Sequence, residues 1–345
     1  MPEAYFPHSA HMNTQAFARF ITVAALLVAI VGCSSPQSPL QPKTAPELEQ
    51  AAIHCMSERN WECAESDWSQ YIKLRPNDGR AIANYGFALH FDGNDQAAIR
   101  QFETAISQGE GTYDLFAAYA DSLANIGRTK AAIDWSYKAL QLVPSLVDVR
   151  GNLAKLLVHQ KKYYEALALL AEFDQHLEAE GHPPYFKGQR IAIESTAPRR
   201  LPANDDQQSD PLRMVEFNGH FFAPVRIGES PVAAFVVDTG ASTVTLDDDF
   251  LVASKAKYTI ARVHAPVKIA DGSVVDAKLV AIDHMEIGNY ELDDVPAVVC
   301  GTCALLLGEN VLSHFDMSAT KVQGVNALTL HPHTGIPDAT SVRGR

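Results

Sequence analysis

The chain is short of positive charge. Its 345 residues carry 28 Lys and Arg against 41 Asp and Glu, a formal net charge of -13. A phosphate backbone is bound by clustered cations, so no nucleic-acid partner is expected. The acidic side chains are spread over both halves, as ordinary solvated surface. No GxSxG, HExxH or phosphate-binding glycine loop occurs, which sets aside serine-hydrolase, zinc-protease and nucleotide chemistry. The apolar run Phe20 to Val31 falls short of the about 20 residues that cross a bilayer. Cysteine is scarce, at five residues. The histidines, among them His264, His284, His314 and the "HPH" at 331–333, lie without ligand spacing, so neither a metal nor a cofactor is expected.

What is present begins with composition: 345 residues at 47% hydrophobic support two globular cores. Near the start, "FARFITVAALLVAIVGCSS" places Arg19 before the apolar run and small residues after it, as in the apolar region of an export signal. "IVGC" resembles the lipobox of bacterial lipoproteins. The resemblance implies that Cys33 becomes the lipid-bearing first residue of the mature chain. Ser34, where an Asp would mark inner-membrane retention, implies the outer membrane, facing the periplasm. Met12 is an alternative start to Met1. An oxidising compartment leaves Cys55, Cys63, Cys300 and Cys303 free to form disulfides, with the pairing open. For "CGTC" at 300–303 a structural pair ranks above a redox dithiol or half a zinc site, since no second pair accompanies it.

Between residues 46 and 181 the sequence repeats. Ala64, Ala98, Ala132 and Ala166 stand 34 residues apart, as do Ala52, Gly86, Ala120 and Ala154. That puts one small residue on each of two helices in every unit, where paired helices come close. "NWECA", "GNDQA", "GRTKA" and "KKYYEA" fall at the turns, and Pro76 and Pro144 at unit ends. The pattern resembles the tetratricopeptide repeat family over four units. It implies an all-α solenoid whose groove binds a peptide or protein; a spacer that only orders the chain is the plainer alternative. Asn84 and Asn152 share a repeat position that Ala118 breaks, so no groove contact is assigned. The Pro-rich and polar stretch 182–212 reads as a linker.

From Arg213 on, short apolar runs alternate with turns. "FFAPVRIGESPVAAFVVD" reads as two strands about Gly228, "PVKIADGSVVDAKLVAI" as a hairpin about Asp271-Gly272, and "HMEIGNYELDDVPAVVC" as another about Gly288-Asn289. Strands so spaced suggest a small barrel or sandwich. The first pair ends in "VVDTGAS", with Asp238 leaving an apolar strand for a tight turn, a costly place for a carboxylate unless it is hydrogen-bonded or does chemistry. "LDDD" at 246–249 reads as a turn or helix cap, with calcium as the alternative.

Asp238-Thr239-Gly240, then "LLLG" at 305–308, a short helix in "ENVLSHFDM" and a last strand in "NALTL" form an ordered set. It closely resembles the retropepsin-like aspartic proteases, in particular the short bacterial forms, over residues 213 to 331. The resemblance implies an all-β barrel in which Asp238 is catalytic, Thr239 braces the opposite loop and Gly240 exposes the carboxylate. Leu306, Leu307 and Gly308 would support the active-site loop, and Asp271 and Gly272 would belong to a flap over the substrate. The chemistry needs two carboxylates sharing a proton, yet DTG occurs once. A homodimer follows as the expectation. Ala241 brings no hydroxyl to the pair, so the expected pH optimum lies nearer neutral than pepsin's. The domain plan is thus a signal at 1–33, a flexible linker at 34–45, repeats at 46–181, a linker at 182–212, a protease-like domain at 213–331 and a disordered tail at 332–345. The functional expectation is a membrane-anchored aspartic endopeptidase whose repeats bind substrate or a partner protein. The alternative is a dimeric, non-catalytic protein-binding scaffold.

Overall fold

The computed structural model describes residues 42–197, 211–268 and 272–333. Cys33, Asp271 and residues 334–345 lie outside them. Four helix pairs open the described chain: α1 (Ala45–Ser57) with α2 (Trp61–Leu74), α3 (Gly79–Phe91) with α4 (Asp95–Ser107), α5 (Tyr113–Asn125) with α6 (Thr129–Leu142), and α7 (Val147–His159) with α8 (Tyr163–Ala179). The small residues at the 34-residue spacing are the reason the pairs close. Ala52, Ala64, Ala98, Ala120, Ala132, Ala154 and Ala166 are all buried. At Gly86 a Cβ would stand 2.7 Å from the Phe102 ring, so the space a side chain would need is filled from the paired helix. Helix starts are set by caps: the Asn60 side chain accepts from the Cys63 N–H, and that of Asp78 from the Ala81 N–H. A disulfide joins Cys55 to Cys63 across the first turn.

The stretch 182–212 is not simply a linker. After Pro183 and Pro184 the chain forms α9 (Lys187–Thr196), which lays Ile193 into the core behind the buried Phe186. Asp174 of α8, fully buried, accepts from the Phe186 N–H at 2.8 Å and from Arg190 Nη1 at 3.1 Å. A polar segment becomes a helix here because a buried carboxylate holds it.

The C-terminal half comprises β1 (Leu212–Val215), β2 (Phe222–Ile227), β3 (Ala233–Val237), β4 (Val244–Leu246), α10 (Asp248–Ser254), β5 (Tyr258–Lys268), β6 (Val274–Ile287), β7 (Tyr290–Val299), β8 (Leu306–Leu307), α11 (Glu309–Leu312), β9 (Phe315–Val322) and β10 (Val325–Pro332). The sheet order β2-β3-β8-β4-β7-β6 closes through β2–β6 pairing into a six-stranded barrel, with β5 paired outside it on β6. Phe235, Leu246, Ile282, Ile287, Leu307 and Val311 fill the barrel. A second sheet, β1-β10-β9, is not paired with the barrel strands but packs Leu212, Met214, Phe315 and Leu330 into the same core. Residues 332 and 333, expected in the tail, are ordered: Pro332 ends β10, paired with Phe315, and the His333 N–H donates to the His314 carbonyl.

Repeats and barrel share a core. Leu153, Leu157 and Leu170 from the helices pack in one cluster with Val215, Phe217, Val325 and Ala327 from the sheets. Arg150 is buried at this junction. Its guanidinium donates to the carbonyls of Leu169 and Pro144 and to Glu172, and stacks over Phe173 and Phe217 at 4.9 and 5.0 Å. Glu165, also buried here, has its pKa raised from 4.5 by desolvation, with Lys162 opposing. An acid with a raised folded-state pKa holds more protons folded than unfolded, so stability falls as pH climbs through that range. Glu165→Gln is therefore expected to be more stable than wild type at pH 7, by urea midpoint, with the gain gone below about pH 4.

Candidate active site

Asp238 follows directly on β3. That strand lies antiparallel to β2 and parallel to β8, with Val236 opposite Leu306 and Val237 opposite Leu307. The Asp238 N–H donates to the Leu307 carbonyl at 3.1 Å, so β8 fixes the point at which the chain turns. The turn is drawn in by the carboxylate itself: the Gly240 N–H donates to Asp238 Oδ1 at 2.8 Å, and the Ala241 N–H to the Asp238 carbonyl at 3.2 Å. A Cβ at Gly240 would lie 3.2 Å from that Oδ1, so glycine keeps the approach open. Asp238 is half-buried, and Thr239 and Gly240 are exposed.

The far side of the loop is tied to α11. Glu309 and Asn310 donate their N–H groups to the carbonyls of Ala241 and Ser242 at 2.8 and 3.2 Å. The Asn310 side chain accepts from the Val244 N–H at 3.0 Å and donates to the Pro296 carbonyl at 2.9 Å. Gly308 is required by proximity: a Cβ there would fall 2.5 Å from Thr243 N. Leu306, Leu307 and Gly308 thus lie against the Asp238–Thr243 loop, with β8 inserted between β3 and β4. Asn310 was not singled out from sequence, although an amide side chain two residues beyond a tightly packed glycine is the kind of group that satisfies a loop.

Gly272, at φ +87°, turns the β5–β6 hairpin; Asp271 beside it lies outside the described residues. The hydrogen bonds that hold the Asp238 loop come from β8 and α11 and none from this hairpin, among the described residues. The hairpin's inner residues Val267, Val275 and Ala277 pack on Cys300 and Cys303, which are disulfide-bonded just before β8. The "LDDD" acids are a cap and an ion pair: Asp247 accepts from the Phe250 N–H, and Asp248 pairs with Lys278 at 2.5 Å, which raises the lysine's pKa. Among the described residues the one grouping with metal-ligand spacing is Cys55, Cys63 and Asp67, and both sulfurs are taken by the disulfide.

The closed six-stranded barrel thus carries a DTG turn at the end of its second strand and a two-residue strand slipped between that strand and the next. Residues 223–314 match the family described as "gag-polyprotein putative aspartyl protease". The match lies within the barrel and does not reach the helical half, which is an array of four helix pairs. Among solved structures the chain is similar to a retropepsin-like aspartic protease from Rickettsia conorii, at 22% identity over 34% of this chain and 89% of that one, TM-score 0.25. It is also similar to YrrB, described as a TPR protein with an unusual peptide-binding site, at 21% identity, TM-score 0.35. That likeness covers 37% of this chain and 66% of YrrB, just under two thirds of its length. MamA is similar at 13% identity over 44% of this chain and 89% of its own, TM-score 0.34. No curated protein matches.

Proposed function

We propose that the protein is an aspartic endopeptidase, active as a homodimer, whose repeats bind a protein or peptide and whose Cys33 carries a lipid that anchors it in the outer membrane facing the periplasm. The observation that carries the reading is the single Asp238 per chain, half-exposed where β3 ends and held by the loop's own amides. Hydrolysis of a peptide bond by carboxylates takes two of them. One, ionised, removes a proton from water as it attacks the carbonyl carbon, while the other, protonated, gives its proton to the carbonyl oxygen. Two like charges in contact favour this sharing of one proton. The second Asp238 then comes from a second copy about a two-fold axis. An open edge is available: among the described residues β9 pairs with β10 alone, and Asp316 to Lys321 are exposed along it.

The test is the mass of the active species. A soluble form, residues 34–345, is expected to sediment as a dimer at concentrations where it cleaves peptides, and specific activity is expected to fall on dilution below the dimer's Kd. A monomer that cleaves at full specific activity overturns the shared dyad.

A further inference from the structure

Alternate residues of a strand turn their backbone groups to the same edge. Along β3, the edge at Val236 and Asp238 is taken by β8, whose Leu305–Leu307 carbonyls receive both N–H groups. At Val232 and Ala234, earlier on that edge, helical side chains take the place of a strand. The Val232 N–H donates to Glu194 Oε1 at 2.8 Å, and the Val232 carbonyl accepts from Arg190 Nη2 at 2.7 Å. The Ala234 N–H donates to Gln175 Oε1 at 2.6 Å, and the Ala234 carbonyl accepts from Gln175 Nε2 at 3.3 Å. One amide side chain therefore offers an acceptor and a donor to a single residue, as a neighbouring strand would. Both residues are buried, so water does not replace these partners if they are removed.

The helices that supply the partners are themselves fixed to the repeats. Arg190 spans from Val232 to the buried Asp174, and Gln189 Nε2 donates to the Gly151 carbonyl of α7 at 3.0 Å. From α7 the hydrogen bonds run through α9 into β3, and β3 ends at Asp238. We propose that Gln175, Arg190 and Glu194 are positioning residues for Asp238, so that the repeat array is a working part of the site as well as a docking module. The proposal rests on the reading of Asp238 as the catalytic carboxylate. A strand whose first half loses its partners slackens towards its end, and a misplacement of about 1 Å costs about 100-fold in rate.

The experiment uses the full chain and compares Gln175→Leu, Glu194→Leu and Glu194→Gln, the last keeping an accepting oxygen. Two quantities are read: kcat and KM on a cleaved peptide, and hydrogen exchange of the amides in 232–238 against those of β6 and β7. The leucine variants are expected to lose about 10- to 100-fold in kcat with KM little changed. Exchange is expected to quicken along 232–238 alone, and Glu194→Gln to recover the wild-type kcat. Wild-type kcat in both leucine variants overturns the proposal, as does a Glu194→Gln variant no better than Glu194→Leu. If the wild-type chain cleaves no peptide, the protease reading fails by itself and exchange decides the clamp: unchanged exchange at 232–238 in the leucine variants overturns it.

Discussion

Asp238→Asn is expected to end the proposed peptide cleavage, with a loss of at least about 1000-fold in kcat, while the chain stays folded. Asn matches Asp in shape, and its Oδ1 can still accept the Gly240 N–H that closes the turn. The backbone bonds from Asp238 to Leu307 and from Ala241 to Asp238 involve no side chain and persist. What disappears is the ability to take up and release a proton. On the proposed reading the dyad draws on both copies, so a mixed dimer of one wild-type and one variant chain is expected to be inactive too, and excess variant should quench wild-type activity. The measurement is cleavage of a diverse peptide mixture by both forms from about pH 4 to 7.5, across the range in which a carboxylate pair holds one proton. A variant as active as wild type removes Asp238 from the chemistry. A dimeric wild type that binds peptides and cuts none favours the scaffold.

Arg150→Ala is expected to cost about 3–5 kcal/mol, read as a fall in the urea midpoint. Arg150 is fully buried; truncation strips two carbonyls of their donor and leaves Glu172, itself largely buried, without its partner at 2.8 Å. It also leaves a void between Phe173 of α8 and Phe217, which follows β1. Since desolvation already weakens the guanidinium's hold on its proton, with Glu172 opposing, much of the expected loss is the uncompensated charge that remains. The double variant Arg150→Met with Glu172→Met should therefore be more stable than Arg150→Ala alone. Equal stability of wild type and Arg150→Ala would mean that the junction does not depend on this charge.

What sequence makes legible here are local and periodic features. The 34-residue spacing of small residues gives the helix pairs, because close approach leaves a mark at every repeat. Gly288-Asn289 marks a hairpin, because a two-residue turn demands left-handed backbone: Ile287 pairs with Tyr290 and Gly288 takes positive φ. Gly272 also takes positive φ, but Lys268 pairs with Val274, so the expected two-residue turn there is a longer loop. The features that escape depend on distant partners. α9 is polar and stands behind two prolines, and only Asp174, Val232 and Gly151 make it a packed helix. β1 pairs with β10, over a hundred residues away. β8 is two residues long, too short for any alternation, and is a strand only because β3 and β4 flank it. Arg150 looks like any charged residue on a repeat helix until Phe173 and Phe217 enclose it.

The shared core of repeats and barrel has a geometric consequence. With α8 packed directly on β1, β2 and β3, the last repeat and the strand that ends at Asp238 are held against each other. A polypeptide docked along the repeats would meet the carboxylate at a set distance from its docking motif. On the proposed function, the chain would act as a gauge, measuring out the same number of residues before each cut, where a floppy tether would scatter its cuts over many positions.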